Sequence, residues 1–360
     1  MFDRNLDAYV QVDGFQVISD RAVYSWVGTS SRFNSIFLQA HLLAQTISQQ
    51  LHVSTPILHP AMEGSRHALK GLNGSGMSLI WHYGGFDPDL IGVKYNPKTI
   101  FVYHNITPAR FFWTTQPLVA GRSLLGRLQL LLLPKKCKWI AVSEYNAQEL
   151  RRFGFADVSI CPNIVVAESV GEVSKTEYFS SIFNGRIAPN KNCVVLLEQM
   201  AWVAERLAAP TELIVVGEVK RGCRFGKAFE RKVAALSNHP WLRIDWRRGG
   251  VDSQELHALY KRSWLYVSMS LHEGFGLPVC EAIAQGTPAL YLECGGTESV
   301  LEGHGMVPRS RTSEFWRRTV EILGSESERE GLLSNQRSIV RRYEVPEISN
   351  TVRCTYGPLL

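Results

Sequence analysis

Short apolar runs, bounded by polar and turn residues, recur along most of the chain. In the first half they fall at residues 78–82, 99–104, 139–143 and 158–162, and in the second half at 180–184, 212–217, 241–245, 264–268 and 288–292. Segments with helical periodicity lie between them, at 144–153, 192–207, 227–237, 253–262 and 278–285. Continuous apolar strands that alternate with helices predict parallel sheets covered by helices on both faces.

The alternation is interrupted once, by a stretch of low hydrophobicity at residues 167–177. This break predicts two Rossmann-like α/β domains, residues 1–165 and 179–340, joined by a linker at 166–178. Residues 341–360 are expected to form a terminal segment that packs back on the first domain. A length of 360 residues suits two domains better than one core.

Composition argues against a disordered, a zinc-binding or a membrane-spanning protein. Apolar residues make up 45% of the chain and charged residues 20%, which is typical of a globular protein. Seven scattered cysteines without a CxxC pair favour free thiols in a reducing compartment over a zinc site. No secretory signal or spanning apolar segment is evident, so a cytoplasmic location is expected.

The segment 270–289 carries the most informative motif. Glu273 and Glu281 lie eight residues apart across a turn that contains Gly274 and Gly276, and Pro278 marks the start of a helix. The free N–H groups of a first helical turn bind anions. Carboxylates repel an anion but accept hydrogen bonds from hydroxyl groups, so the expected ligand carries both phosphate and polyol, as a nucleotide-sugar does.

A second motif supplies the positive charge that this loop lacks. Arg186 and Lys191 occupy a turn between the strand at 180–184 and the helix at 192–207. Two cations at a helix entrance suit a diphosphate. A solvated surface turn is the alternative reading, and the presence of the glutamate loop in the same half-chain favours the functional one.

Three motifs together resemble glycosyltransferase family 4, the retaining nucleotide-sugar-dependent enzymes of the GT-B fold. They are Gly185-Arg186 with Lys191-Asn192, the segment from Glu273 to Ala282, and the segment from Gly295 to Val300. Their order and separation match the family over about residues 140–305.

The resemblance implies a role for each matching residue. Arg186 and Lys191 would bind the donor diphosphate and stabilise the leaving group, and Glu281 would accept hydrogen bonds from the ribose. Glu273 and the backbone of Phe275, Gly276 and Leu277 would contact the donor. Gly185 and Gly274 belong to the same donor-binding motifs. Glu273 as a cap of the following helix, and Glu281 as a solvated helical glutamate, are the structural alternatives.

The first half contributes His104, which ends the run at 99–104 and is predicted to face the cleft between the domains. It resembles the strand-end histidine that the family uses against the donor sugar, although a structural histidine is the simpler alternative. The run 104–108 resembles a bacterial subgroup that makes surface polysaccharides. Ser143 also resembles a family feature, and an N-cap for the helix at 144–153 explains it equally well.

Two segments of the first half fit the family less well. Family members place a glycine-rich loop after their first strand, whereas residues 26–34 contain one glycine, Gly28, and several hydroxyl residues. The contacts of this Gly28–Asn34 loop are therefore left open. Asp87-Pro-Asp89 has the form of a metal-binding DxD sequence, but a turn is the better reading because it lies far from the phosphate motifs.

Positive charge is concentrated in the first half. Residues 1–165 contain 15 Lys or Arg and 10 Asp or Glu, a net charge of +5. Residues 121–138 combine leucines with five basic residues, which fits either contact with anionic lipid or a packed helix with a basic end. No stripe of alternating aromatic and basic residues indicates nucleic acid.

The sequence therefore predicts a retaining hexosyltransferase that uses a nucleotide-sugar and a glycan acceptor, lipid-linked in the expected case, in bacterial surface polysaccharide synthesis. Mannose is the preferred sugar on the subgroup resemblance alone. No metal or other cofactor is expected, because Arg186 and Lys191 can neutralise the leaving phosphate. A nucleotide-sugar epimerase of the same fold and a non-catalytic nucleotide-sugar-binding protein are the alternatives.

Overall fold

Two parallel six-stranded sheets, each covered by helices, make up the protein in its computed structural model. The structure describes residues 22–28, 35–75, 77–92, 95, 98–220 and 222–360. Residues 29–34, which contain most of the loop singled out after the first strand, lie outside the described residues. The prediction of a two-domain, Rossmann-like α/β fold is confirmed.

The first sheet has the strand order β2-β1-β3-β4-β5-β6. Its strands are β1 (Val23–Val27), β2 (Ile57–Leu58), β3 (Ser78–Tyr83), β4 (Thr99–Tyr103), β5 (Lys138–Ala141) and β6 (Val158–Ile160). The accompanying helices are α1 (Ser35–Leu51), α2 (Ser65–Ser75), α3 (Pro117–Leu132) and α4 (Glu144–Arg152). Strands β1, β3 and β4 are buried along their whole length, which explains why most of their residues are apolar.

The second sheet has the order β12-β11-β10-β7-β8-β9. Its strands are β7 (Phe179–Asn184), β8 (Thr211–Val216), β9 (Leu242–Arg247), β10 (Leu265–Ser268), β11 (Ala289–Leu292) and β12 (Met306–Val307). The helices between them are α5 (Cys193–Leu207), α6 (Arg224–Ala235), α7 (Ser253–Arg262), α8 (Leu277–Ala284) and α9 (Gly296–Val300). All strand pairs are parallel, so the carboxyl ends of the strands meet at one edge of the sheet.

Three further helices follow the second sheet: α10 (Thr312–Gly324), α11 (Glu326–Val340) and α12 (Val345–Tyr356). After α11 the chain returns to the first half, where the Val165 N–H donates to the Tyr343 carbonyl at 2.8 Å. Helix α12 then packs against α1. The end of the chain therefore packs with the first sheet and its helices.

Large aromatic side chains fill the core of the first half. Trp26, Trp81 and Trp139 are fully buried, and the Trp139 ring stacks on Phe101 with centroids 4.5 Å apart. Indole N–H groups need an acceptor when they are buried. Asp87 provides one to both Trp26 and Trp81, at 3.1 and 3.0 Å, which fixes the turn that follows β3.

None of the described helices is both long enough and apolar enough to span a lipid bilayer.

Candidate functional site

The turn before α8 requires glycine at its last position. Gly276 has a φ of +88°, and a Cβ atom there would lie 2.2 Å from the Oγ1 atom of Thr297. Helix α8 begins at the next residue, Leu277, with Pro278 as its second residue. Within the described part of the chain, the amide groups of Phe275 and Gly276 donate no hydrogen bond. The turn therefore presents free N–H groups beside the helix start, as the motif predicted.

Phe275 and Leu277 contribute to this turn through their backbone. Both side chains are buried, and the Phe275 ring packs edge-on against Tyr343 with centroids 5.6 Å apart. Gly296 bonds through its N–H to the carbonyl of Glu273 at 2.9 Å. The turn is therefore held from both sides, which fixes the direction of its amide groups.

Lys191 lies opposite this turn and forms an ion pair with Glu273. Lys191 ends a 3₁₀ turn, Pro189–Lys191, and Asn192 then adopts a left-handed conformation (φ 54°) before α5 begins. Burial would raise the pKa of Glu273, but the charge and the hydrogen bond of Lys191 hold that pKa below its ordinary value. Glu273 does not cap α8, whose N-cap is Gly276 without a side-chain hydrogen bond.

Arg186 lies two residues beyond the end of β7, immediately after Gly185. Its guanidinium is exposed and makes no hydrogen bond or ion pair with any described residue. The Gly185 N–H donates to the Val216 carbonyl at 3.0 Å, so the adjoining backbone is fixed by the neighbouring strand. Arg186 is therefore available to an anion from solvent, whereas Lys191 must share its charge with Glu273.

Glu281 lies on α8 and is half-buried rather than solvated. Its Oε2 atom accepts a hydrogen bond from the Tyr260 hydroxyl at 3.3 Å, and that hydroxyl accepts one from the Asn184 amide at 2.9 Å. Tyr260 and Asn184 thus orient the carboxylate. A carboxylate held in this way is suited to accept hydrogen bonds from a pair of ribose hydroxyls.

His104 follows β4 at the carboxyl edge of the first sheet, and its ring pairs with another histidine. Its Nε2 atom lies 2.9 Å from Nδ1 of His82 in the same half. Burial lowers the pKa of His104 to about 3 and the pKa of His82 well below its ordinary value, so both rings are neutral at pH 7. The backbone of His104, in contrast, faces the second half.

The two halves are in close contact at Gly274. A Cβ atom on Gly274 would lie 2.6 Å from Cβ of Asn105 and 3.0 Å from the carbonyl oxygen of His104. The Ser143 hydroxyl donates to the Gly274 carbonyl at 2.8 Å and also accepts from the Asn146 N–H, which makes it the N-cap of α4. The N-cap interpretation of Ser143 is therefore confirmed, and the same hydroxyl also joins the two halves. The donor motif of the second half is in direct contact with the strand ends of the first.

A buried polar network that the sequence analysis missed joins the halves beside this contact. The Nε2 atom of His272 lies 2.9 Å from Oδ1 of Asn105, whose amide donates to Asn146 at 2.8 Å and to Glu149 at 3.2 Å. Glu149 is paired with Arg127 at 2.7 Å. Burial lowers the pKa of His272 to about 4. The signal in the sequence that could have indicated this network is that His272 and Asn105 each adjoin a predicted site residue.

Asp87-Pro-Asp89 forms a turn, as expected. Asp87 precedes the 3₁₀ turn Pro88–Leu90 and accepts from the Asp89 N–H at 2.9 Å, while Asp89 pairs with Arg66 at 2.8 Å. Both carboxylates are therefore engaged within the protein. Across the described ranges, no group of three or more histidine, cysteine or acidic side chains is arranged to bind a metal ion.

The family model described as glycosyl transferases group 1 matches residues 167–330. This range contains the ion pair, Arg186, Glu281 and the turn before α8. A protein of the Sulfolobus islandicus filamentous virus that is named a glycosyltransferase is 44% identical over 49 residues, which are 14% of this chain and 16% of the viral protein.

Solved structures resemble the whole two-domain arrangement. Sucrose-phosphate synthase of Thermosynechococcus elongatus is similar with a TM-score of 0.71 and 14% identity, over 94% of this chain and 99% of that one. Anabaena HepE in complex with UDP and glucose has a TM-score of 0.64 and 15% identity, over 94% and 100%. TarM has a TM-score of 0.63 and 15% identity over 82% of this chain, which spans 57% of TarM.

The chain has the GT-B fold. At these identities the structural likeness defines the fold alone. The group 1 family match over residues 167–330 is the finding that supports a glycosyltransferase. Ligands of such parallel sheets bind beyond the carboxyl ends of the strands, and His104, Arg186 and Glu273 all follow strand ends of this kind.

Proposed function

We propose that the chain is a retaining glycosyltransferase of family 4 that transfers a hexose from a nucleoside-diphosphate sugar to a glycan acceptor. One arrangement carries the proposal: Lys191 and the free amide groups of Phe275 and Gly276 lie together at the start of α8, whose next turn presents Glu281. Cationic and N–H donors for a diphosphate thus adjoin a carboxylate for a ribose.

In this proposal Lys191 exchanges one partner for another. Lys191 is paired with Glu273, and the diphosphate would compete for its ammonium group. Glu273 would then be released to accept hydrogen bonds from the donor sugar. Arg186, which has no partner in the described structure, would add a second positive charge to the leaving phosphate.

The reaction would break the bond between the anomeric carbon and the donor phosphate and form a bond from the acceptor hydroxyl on the same face of the sugar. The leaving phosphate oxygen would accept the acceptor proton. The protein then supplies positioning and charge stabilisation, and closure of the halves at Gly274 would exclude water.

Two observations bear on the identity of the donor sugar and its nucleotide. The resemblance at residues 104–108 favours mannose from a guanosine donor and a role in bacterial surface polysaccharide synthesis on a lipid-linked acceptor. HepE, in contrast, was solved with UDP and glucose, which makes uridine donors the other set to test first. No divalent metal is included in the proposal, because Arg186 and Lys191 can supply the neutralising charge.

A panel of uridine, guanosine and adenosine diphosphate sugars, with and without glycan acceptors, tests the proposal. A bound donor should raise the melting temperature, and nucleoside diphosphate should be released quickly only with an acceptor. Conversion of the donor sugar without acceptor would instead indicate an epimerase, and stabilisation without turnover would indicate a binding protein.

Site variants locate the activity. Lys191→Ala and Glu281→Ala should each abolish transfer in a folded protein. Lys232→Ala and Glu198→Ala provide matched controls, because they break an exposed ion pair on α5 and α6 outside the site. Normal transfer by both site variants would refute the assignment of the site.

A further inference from the structure

Helix α3 exposes an apolar face that the proposed function does not explain. Leu118, Leu124, Leu125, Leu128, Leu131 and Leu132 are between 41% and 83% exposed. The opposite face buries Ala120, Gly126, Gln129 and Leu130 against the first half. Of the eleven exposed large apolar side chains among the described residues, nine lie between residues 86 and 132. An apolar patch concentrated in this way indicates an interaction surface.

The chain segment that contains α3 carries charge of one sign. Residues 90–143 contain eight Lys or Arg and no Asp or Glu. Arg122, Lys135 and Lys136 are exposed and form no ion pair with a described residue. Two copies of this surface would repel each other, whereas an anionic surface would attract it.

We propose that the exposed leucine face of α3 docks on an anionic lipid bilayer. Leucines on one side of a helix, flanked by cations, suit insertion into the boundary between headgroups and acyl chains, with the cations bound to lipid phosphates. The helix would lie in the plane of the membrane surface.

Contacts of the buried face of α3 connect the docked helix to the candidate site. Arg127 of α3 donates to the Ile106 carbonyl at 3.0 Å, two residues beyond His104. The Tyr83 hydroxyl at the end of β3 donates to the Gly126 carbonyl at 2.6 Å. A Cβ atom on Gly126 would lie 2.6 Å from the Phe86 nitrogen, so α3 packs closely on the edge of the first sheet that borders the cleft. Docking would therefore place the cleft beside the bilayer.

Vesicle co-sedimentation of the purified full chain tests this inference without any donor or acceptor, so its outcome is independent of the proposed activity. Binding should be strong to phosphatidylcholine mixed with phosphatidylglycerol, weaker to phosphatidylcholine alone, and reduced by salt. Replacing Leu124, Leu128 and Leu131 together by serine should lower the partition coefficient by at least about tenfold. Lys135→Gln with Lys136→Gln should lower it about tenfold on the anionic vesicles.

Controls separate docking from a general change in the protein. Tyr178→Ser with Trp241→Ser removes two exposed aromatic side chains away from α3 and should leave binding unchanged. All substituted side chains are exposed, so an unchanged melting temperature should verify folding. Unaltered vesicle binding by the leucine variant would overturn the inference. So would a dimer in solution that the leucine variant abolishes, because a second copy would then cover the face.

Discussion

Lys191 and Glu273 form an ion pair across 82 residues, and this pair joins the two motifs that carry the candidate site. Their side chains are only 15% and 17% exposed, so water screens the pair weakly. Lys191 follows the first strand of the second sheet, and Glu273 follows the fourth. The parallel order that places β7 beside β10 brings the two strand ends together.

Removing one charge of this pair should lower the free energy of unfolding more than removing both charges does. Lys191→Met leaves the Glu273 carboxylate unpaired and half-desolvated, which should lower the free energy of unfolding by about 2 kcal/mol. Lys191→Met combined with Glu273→Gln removes both charges and should recover part of that loss. Urea denaturation of Lys191→Met, Glu273→Gln and the double variant measures the coupling. Additive losses would show that the pair contributes nothing to stability.

Glu281 should contribute to donor affinity rather than to stability. Glu281→Gln keeps the shape of the side chain but removes its charge, and a hydrogen bond to a charged group is worth about 1.5–3 kcal/mol. We therefore expect nucleoside diphosphate to bind about tenfold to a hundredfold more weakly, as measured by calorimetry. Tyr260→Phe, which removes the hydroxyl that orients the carboxylate, should give a smaller loss. An unchanged dissociation constant in Glu281→Gln would place the ribose elsewhere.

Gly274→Ala should disturb the contact between the halves. The added methyl group would overlap Asn105 and crowd the carbonyl of His104, both of them in the first half. A displacement of about 1 Å between reacting groups can cost about a hundredfold in rate, so transfer should fall by that order while nucleotide binding changes less. Steady-state kinetics measures transfer, calorimetry measures nucleotide binding, and X-ray scattering reports the arrangement of the two halves.

Gly331→Ala is the matched control for this substitution. Gly331 lies in α11, and a Cβ atom there would meet no other atom within 4 Å. Alanine should therefore preserve the activity and slightly stabilise the helix. Wild-type kinetics in Gly274→Ala would show that this close approach is not needed for transfer.

The sequence predicted the parts of this fold that depend on burial. Strands such as β4 and β8 are covered on both faces, so their apolar sequences are continuous and easy to recognise. Strand β1 and helix α1 were not predicted, although Val23–Val27 is as fully buried as β4. Short apolar runs do not distinguish a strand from a buried helix, and Ser25 interrupts this one.

Only those parts of the candidate site that depend on neighbouring residues in the sequence could be predicted. Gly276 and Pro278 mark a helix start within a few residues, so the turn before α8 was evident. The pairing of His104 with His82 depends on the register of β3 against β4, which places His82 beside Val102. Asn105 adopts a φ of +78°, and no neighbouring residue in the sequence requires this. Contacts of this kind arise from tertiary packing.

Three buried histidines near the contact between the halves should make the protein sensitive to mild acid. Burial lowers the pKa of His272 to about 4 and that of His104 to about 3, from an ordinary value of 6.5, and lowers that of His82 well below 6.5. The unfolded chain therefore binds protons that the folded protein excludes. Their contribution to stability is complete above pH 6.5 and decreases as the pH falls toward 4.

Replacing His272 should weaken the dependence of stability on pH, because one proton fewer is taken up on unfolding. Each proton taken up only on unfolding contributes a slope of about 1.4 kcal/mol per pH unit, so His272→Gln should reduce the slope by about that amount between pH 6 and pH 5. Glutamine can still donate to the Asn105 side chain, which limits the structural change. Gly331→Ala, which removes no titratable group, should leave the slope unaltered. Urea denaturation across this range measures the slope, and equal slopes in His272→Gln and wild type would mean that His272 is protonated in the folded protein.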